Sequence, residues 1–296
     1  MRRRRGRHVG ESRARYHRIV ISRQLAIGAV LVTALTLVAV VGPHLASHDP
    51  IAADIDHGLS ALGAPLPPSS HALLGTDQLG RDVWARLLAG AGVSLVTATL
   101  ATLLAMVIGV SVGLVAGYAG SRIDNVLMRL VDIVLSFPFL LLAILLAAVL
   151  RQSSIGTSIT PVVLTIGLVS WTTTARVIRG RALVLARSEL VVAARSLGAS
   201  SSRIIVRHLL PNVLALVFVL TALSFAQNLL AEAALSFLGL GPPPPTPTWG
   251  RMLFDGRLYY RTAPWLAIAP GIAILLAVVG FNMLGEGLRE TFEVRR

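Results

Sequence analysis

Lysine and cysteine are both absent from this sequence. A P-loop ATPase needs a lysine that reaches the β- and γ-phosphates, so the chain does not hydrolyse ATP by that route. Without cysteine there is no disulfide, thiol nucleophile or thiolate-held iron–sulfur cluster, and the redox compartment leaves no mark. Acidic residues number only 14, and aromatics make up 5% of the chain. No His-Glu-x-x-His helix occurs, and Gly109-Val110-Ser111-Val112-Gly113, which matches Gly-x-Ser-x-Gly, lies inside a long apolar run and not on the strand-to-helix turn of an elbow, which leaves an intramembrane enzyme without its usual signatures. No catalytic residue and no metal-ligand set is assigned.

Apolar residues are plentiful at 54%, with a mean hydropathy of +0.74. Several runs reach the roughly 18 to 20 residues that a membrane helix needs. The net charge is +13, carried by 27 arginines. Such charge suits nucleic acid when it is interleaved with stacking aromatics. Here the arginines gather at the ends of apolar runs, the pattern that orients a chain in a membrane. No nucleic-acid partner is expected.

Residues 1–24 form a basic arm, with nine arginines between positions 2 and 23. It reads both as a disordered tail and as an anchor on an anionic cytoplasmic leaflet. Residues 25–91 hold the first predicted span, Leu25 to about Leu45, and an external loop from His48 to about Ala91. The span is long for the core of a signal peptide, and no small-x-small cleavage site follows Gly42-Pro43-His44. In the loop, Asp49, Asp54, Asp56, Asp77 and Asp82 outnumber Arg81 and Arg86. His44, His48, His57 and His71 lie in or beside it, but their spacing matches no compact metal-ligand pattern.

Residues 92–288 make a core of five further spans. The second, about Gly92 to Gly117, places Ala101, Ala105, Gly109, Gly113 and Gly117 every four positions. That repeat lays one smooth stripe along a helix face and predicts close packing by a neighbouring backbone. A turn over Tyr118 to Asn125 leads to the third span, about Val126 to Leu150, which contains Pro138. Near its cytoplasmic end Arg129 and Asp132, three apart, are predicted to pair structurally and not to bind solute. The fourth span has its core at Pro161 to Thr174. The fifth runs from about Val213 to Leu238, and the sixth from about Trp265 to Leu284. In the fifth, Asn228 and Glu232 share a face at i, i+4. They line a solute path, or they hydrogen-bond to neighbouring helices. Residues 289–296 are a charged cytoplasmic tail.

An external loop from Gly239 to Pro264 carries Arg251, Arg257 and Arg261 against Asp255. That local excess of positive charge runs against the predicted topology. The whole count still orients the chain, with about twenty arginines inside, six outside and Arg129 in a span. The expectation is an all-α membrane protein of six transmembrane helices with both termini cytoplasmic.

Between the fourth and fifth spans, Arg176 to Pro211 holds seven arginines, too many to sit in lipid. Glu189 to Gly198 reads as a short helix ended by glycine. Ala199 to Ser202 can cap a second helix that stops at Leu210-Pro211. A rigid helix–turn–helix carried by two spans is what a membrane protein needs if something outside the bilayer is to push on it.

This loop, about residues 180–211, resembles the EAA loop of ABC importer permeases. The family pattern is Glu-Ala-Ala, three residues, Gly, nine residues, a branched apolar residue, one more, and Leu-Pro. Ala193, Ala194, Gly198 and Leu210-Pro211 fall in register. Val192 stands at the glutamate position and His208 at the branched one. Leu74-Gly75-Thr76-Asp77-Gln78-Leu79-Gly80-Arg81-Asp82 resembles a signature of peptide and nickel permeases. So do Leu235 to Gly241 with Pro245 to Gly250, and Phe281-Asn282 with Gly285, Leu288 and Arg289. Over about residues 20–290 the chain resembles the C-type permease subunits (DppC and OppC type) of dipeptide, oligopeptide and nickel importers.

The resemblance implies a type I ABC importer permease (MetI-like) fold in the bacterial plasma membrane. It implies a B-type permease partner, one or two ATPase subunits that bind ATP and Mg, an extracytoplasmic solute-binding protein and a peptide substrate. No cofactor is expected in this chain itself. Nickel and glutathione systems share the permease type. By carry-over, Glu189, Val192, Ala193, Ala194 and Gly198 lie in or beside the helix that docks on an ATPase. Glu189, one turn before Val192, is the candidate for the missing ionic contact. An autonomous carrier fits less well: inverted repeats are not evident, intramembrane charges are few, and the basic loop then has no purpose.

Overall fold

The computed structural model describes residues 22–153, 156 and 158–293. Most of the basic arm, residues 1–21, and the last three residues of the tail lie outside the described residues. No strand occurs among the described residues, only two isolated bridges, Leu59 with Pro65 and Thr76 with Asp82.

The first helix, α1, is Arg23–Leu45, opened by Ser22, whose Oγ accepts from the Leu25 amide at 3.1 Å. A single turn, α2 (Ile55–Gly58), interrupts the following loop. Then comes α3, Val83–Tyr118, a 36-residue helix capped by Asp82. It begins before the predicted second span, because Asp82 Oδ1 accepts from the Trp84 amide at 2.8 Å and starts the spiral there. Arg86, expected in a loop, therefore sits on its first turns and is buried.

The third span departs from expectation. It starts at Ser121, after a turn of only two residues, and is not one helix. α4 (Ser121–Ser136) and α5 (Phe139–Arg151) are bent by 91° about Phe137-Pro138. Pro138 has no N–H to continue the spiral and drives Phe137 to extended backbone, φ −90° and ψ 140°. α6 follows at Thr160–Leu185, then the short α7 (Glu189–Ser196) and α8 (Ser201–Ile204). The second loop helix does not stop at Leu210-Pro211. A π-helical turn, Ile205–Leu209, joins α8 to α9 (Leu210–Phe237), so the spiral runs unbroken from Ser201. The turn widens just ahead of Pro211, where the ring would otherwise strike a carbonyl one turn back. α10 (Trp249–Gly256) and α11 (Trp265–Glu293) complete the chain.

Five helices are long and apolar enough to cross a membrane, six if the bent α4–α5 pair is one span. The all-α expectation holds, with five to six spans. α3 and α6 are the central pair, and the small-residue stripe is their seam. Ala101, Ala105, Gly109, Gly113 and Gly117 are all buried. A Cβ on Gly113 would lie 2.6 Å from the Ala175 carbonyl oxygen, and one on Gly117 would lie 2.5 Å from the Ala182 Cβ. The two backbones touch, which only glycine allows. α9 and α11 pack beside this pair, and α1 leans on α11. The loops carrying α2 and α10 gather at one end of α3, and α7 lies at the other.

Candidate coupling loop and solute path

Leu185 ends α6, and three residues later the chain turns into α7. Val191 points inward and is buried with Leu114, Ile178, Ala182, Ile204, Leu209 and Val213. At 100° per residue the opposite face of α7 carries Glu189, Val192, Ala193 and Ser196. All four are exposed. Ala194 lies at the side, half-buried.

The helix ends in a complete Schellman motif. The Gly198 amide donates to the Arg195 carbonyl at 3.0 Å and the Ala199 amide to the Ala194 carbonyl at 3.1 Å. Gly198 takes φ +79°, and no atom stands within 4 Å of where its Cβ would be. The glycine is there for backbone conformation, not for space. Ser200 then caps α8, accepting from the Arg203 amide at 3.4 Å. Leu197, at the tip, is 88% exposed. Sequence reasoning passed over it, although an apolar residue just before a helix-ending glycine, on a polar loop, is a readable signal.

One further contact fixes the loop to the bundle, and two ion pairs hold the helix before it. The Arg195 guanidinium carbon lies 5.1 Å from the centroid of the Tyr118 ring at the end of α3. Between α6 and α4, Arg176 bonds to Asp132 at 2.7 Å, and Arg179 grips Asp124 through both carboxylate oxygens. The expected Arg129–Asp132 pair does not form. Arg176 reaches Asp132 from the facing helix, a partner that spacing along α4 cannot reveal.

The two candidate path residues part company. Asn228 borders a cavity of about 350 Å³ inside the α4–α5 corner, facing Ser170 and Thr173 of α6 and Ser224 and Gln227 of α9. Its Nδ2 donates to Thr102 Oγ1 of α3 at 2.9 Å. Glu232 does not reach this cavity. It is fully buried one turn further toward the α10 end, and its Oε1 accepts from Ser236 Oγ at 2.7 Å. The hydroxyls of Ser94 and Thr248 stand around it without closing a hydrogen bond to Oε2.

At the α10 end the Leu74–Asp82 stretch acquires a role. Asp77 Oδ2 accepts from Arg81 Nε at 2.7 Å and lies 3.3 Å from Arg86 Nε. Asp255 of α10 meets Arg86 at 3.3 Å, Arg81 at 3.6 Å and Arg251 at 3.0 Å. Three guanidinium groups and two carboxylates thus tie the first loop, α3 and α10 together. Arg251 is one of the three arginines that strained the predicted topology, and this cluster absorbs it. Arg257 lies over the Phe254 ring at 3.6 Å. Among the described residues no group of three or more histidine, aspartate or glutamate side chains is arranged to hold a metal ion.

Five to six apolar spans around a glycine seam, with a short helix held between α6 and α9, define a permease-type membrane subunit. The chain belongs to the family described as binding-protein-dependent transport system inner membrane component, whose model matches residues 109–296. It is thus an inner-membrane transport subunit. It is 38% identical over 267 residues to the dipeptide transport system permease protein DppC of Alkalihalophilus pseudofirmus, covering 90% of this chain and 84% of that one. It is 39% identical over 226 residues to the glutathione transport system permease protein GsiD of Pectobacterium atrosepticum, covering 76% and 73%. It shares its fold with a chain of the MetNI methionine ABC transporter solved in inward facing conformations. The TM-score is 0.55 at 23% identity, over 71% of this chain and 96% of that one.

Proposed function

We propose that this chain is one of two permease subunits of an ATP-driven importer of di- or oligopeptides. A different, B-type permease forms the other half of the path. One or two ATPase subunits, which bind ATP and Mg, dock on the exposed face of α7 from the cytoplasm. A solute-binding protein delivers peptide at the α10 end. Closure of the ATPases pushes α7, and the buried Val191 and the Arg195–Tyr118 contact pass the push to α6, α9 and α3.

The observation that carries this reading is α7 itself. It is a short helix closed by a Schellman motif, with its inner face locked into the bundle and its outer face exposed. An autonomous carrier has no use for such a handle. Peptide as the solute rests on the dipeptide permease relative, and the glutathione relative stays within the same chemistry, since glutathione is a tripeptide.

The test is co-purification from detergent-solubilised membranes, with Ala193→Arg beside the wild type. Ala193 is exposed, so the variant should fold while its side chain blocks docking. A P-loop ATPase and a second permease should come down with the wild type, and the ATPase should be depleted with the variant. A wild-type chain that purifies alone and still moves solute in liposomes would sink the reading.

A further inference from the structure

The inside of the α4–α5 corner combines three features that the importer reading does not require of it. The first is broken backbone. Helix α5 begins at Phe139 with no side-chain cap, and Ser136, Phe137 and Phe139 are exposed. At membrane depth, non-helical backbone is tolerated only where protein buries it or water reaches it. The rest of this chain does not bury it.

The second is depth. Ser170 and Thr173 lie ten and thirteen residues into α6, and Gln227 lies ten residues before the end of α9. At a rise of 1.5 Å per residue, that is about 15 to 20 Å from the start of α6 and the end of α9. The hydrocarbon core is about 30 Å thick, so the cavity sits near its middle.

The third is polarity without charge. Thr173 and Gln227 are exposed polar residues on apolar spanning helices. Facing lipid, the Gln227 amide would lose its hydrogen bonds to water with nothing in return. Ser170 Oγ donates to the Ile166 carbonyl at 2.7 Å, which leaves its lone pairs turned outward as acceptors. No carboxylate or imidazole lines the cavity. The nearest charges toward the α7 end, Asp132 and Arg176, neutralise each other.

We propose that solute passes along this corner, in contact with Phe137, Phe139, Ser170, Thr173, Ser224 and Gln227. The surface accepts uncharged hydrogen-bonding groups of the peptide-amide class. Phe137 and Phe139 supply an apolar wall against which side chains slide. A bare divalent cation finds no oxygen-rich or imidazole ligand set here. Glu232 is not a solute contact. The proposal deepens the importer reading and rests on it.

A chain without cysteine makes the test direct. Thr173→Cys, Ser224→Cys and Gln227→Cys are each placed in the complete importer in membrane vesicles. They are treated with a membrane-impermeant methanethiosulfonate, and modification is read on this chain by mass. Val30→Cys, exposed on α1, and Thr165→Cys, fully buried on α6, are the comparisons. The three path cysteines should react about tenfold faster than either, because only a hydrated thiol ionises and attacks. A transported dipeptide should slow that reaction several-fold. Reaction no faster than at Val30→Cys, or reaction that dipeptide does not slow, would overturn the proposal; the first would mean that the corner packs dry against the partner permease. ATP-dependent dipeptide uptake by the unmodified complex is measured alongside. Uptake with unreactive cysteines rejects the path and leaves the importer standing. Absence of uptake, with the ATPases present, rejects the peptide-importer reading and the proposal with it.

Discussion

Asp132 accepts its hydrogen bond from Arg176, forty-four positions away, and not from Arg129 on its own helix. A second pair, Asp124 with Arg179, repeats the arrangement further toward the α7 end. Together they bind α4 to α6, the helix from which the α7 loop hangs.

The two pairs differ in what they contribute. Arg176 and Asp132 are 53% and 65% exposed, whereas Arg179 and Asp124 are 30% and 13% exposed. Asp132→Ala is expected to cost ~0–1 kcal/mol, as exposed pairs do. Asp124→Ala removes a two-point charged hydrogen bond and should cost about 1.5–3 kcal/mol. Thermal unfolding of the purified complex would rank them, and equal shifts would contradict the geometry.

The glycine seam predicts an asymmetry within one helix pair. Gly113→Leu drives a side chain into the α6 backbone and should cost at least about 1–3 kcal/mol, with loss of folded yield. Gly180, on α6, has open space where its Cβ would be. Gly180→Ala should therefore stabilise by about 0.5–1 kcal/mol. A change of the same sign at both positions would show that backbone contact is not what the seam depends on.

Gly198 should behave as a conformational switch point. Gly198→Ala forces an L side chain into the left-handed region at a cost of about 1–2 kcal/mol. Asn tolerates that region and should restore much of the loss. ATPase co-purification and peptide uptake, measured for both variants, should fall for Ala and recover for Asn. Equal behaviour of the two would move the role of Gly198 from backbone to side-chain space.

Glu189 is the only acidic residue on α7. If it supplies the ionic contact that Val192 cannot, Glu189→Ala should weaken ATPase association up to about fivefold, the range of an exposed ion pair. Val192→Glu should strengthen it in the wild-type background. Unchanged association and uptake in Glu189→Ala would dispose of the idea.

The buried cluster at the α10 end should be the most sensitive charged site in the chain. Arg86 and Asp77 are almost wholly enclosed. Asp255→Ala strips a partner from Arg81, Arg86 and Arg251 together and should cost about 3–5 kcal/mol, because buried guanidinium charge is left uncompensated. The check is the yield of folded complex beside Arg257→Ala, whose exposed guanidinium lies over the half-buried Phe254 ring without a carboxylate partner among the described residues and should matter little.

The elements that could be read from sequence were those set by local rules. Run length revealed five straight spans, and the four-residue repeat on α3 announced its seam before any partner was known. Glu189 to Ser202 carried its own caps, so α7 and its ending followed from residue types alone. What escaped depends on neighbours. Pro138 was visible in the third span, but the 91° bend at it has no local signature. Pro211 looked like a stop because the widened turn before it leaves no mark in composition. Asp132 and Arg86 each found partners in distant elements, where spacing along one helix says nothing. Asn228 and Glu232 share a helix face yet meet different surroundings, since one faces a cavity and the other a wall of hydroxyls.

The corner between α4 and α5 also bears on the lipid around it. α5 has 13 residues, and so is only about 20 Å long. An undisturbed hydrocarbon layer is about 30 Å thick. Acyl chains beside α5 must compress, or α4 must tip inward to make up the difference. Bilayer thickness thereby acts on the same bend that shapes the cavity, so membrane composition becomes a regulator with no binding site of its own. Transport measured in vesicles of increasing acyl-chain length should decline on the thick side, and a flat profile would mean that α4 fully covers the shortfall.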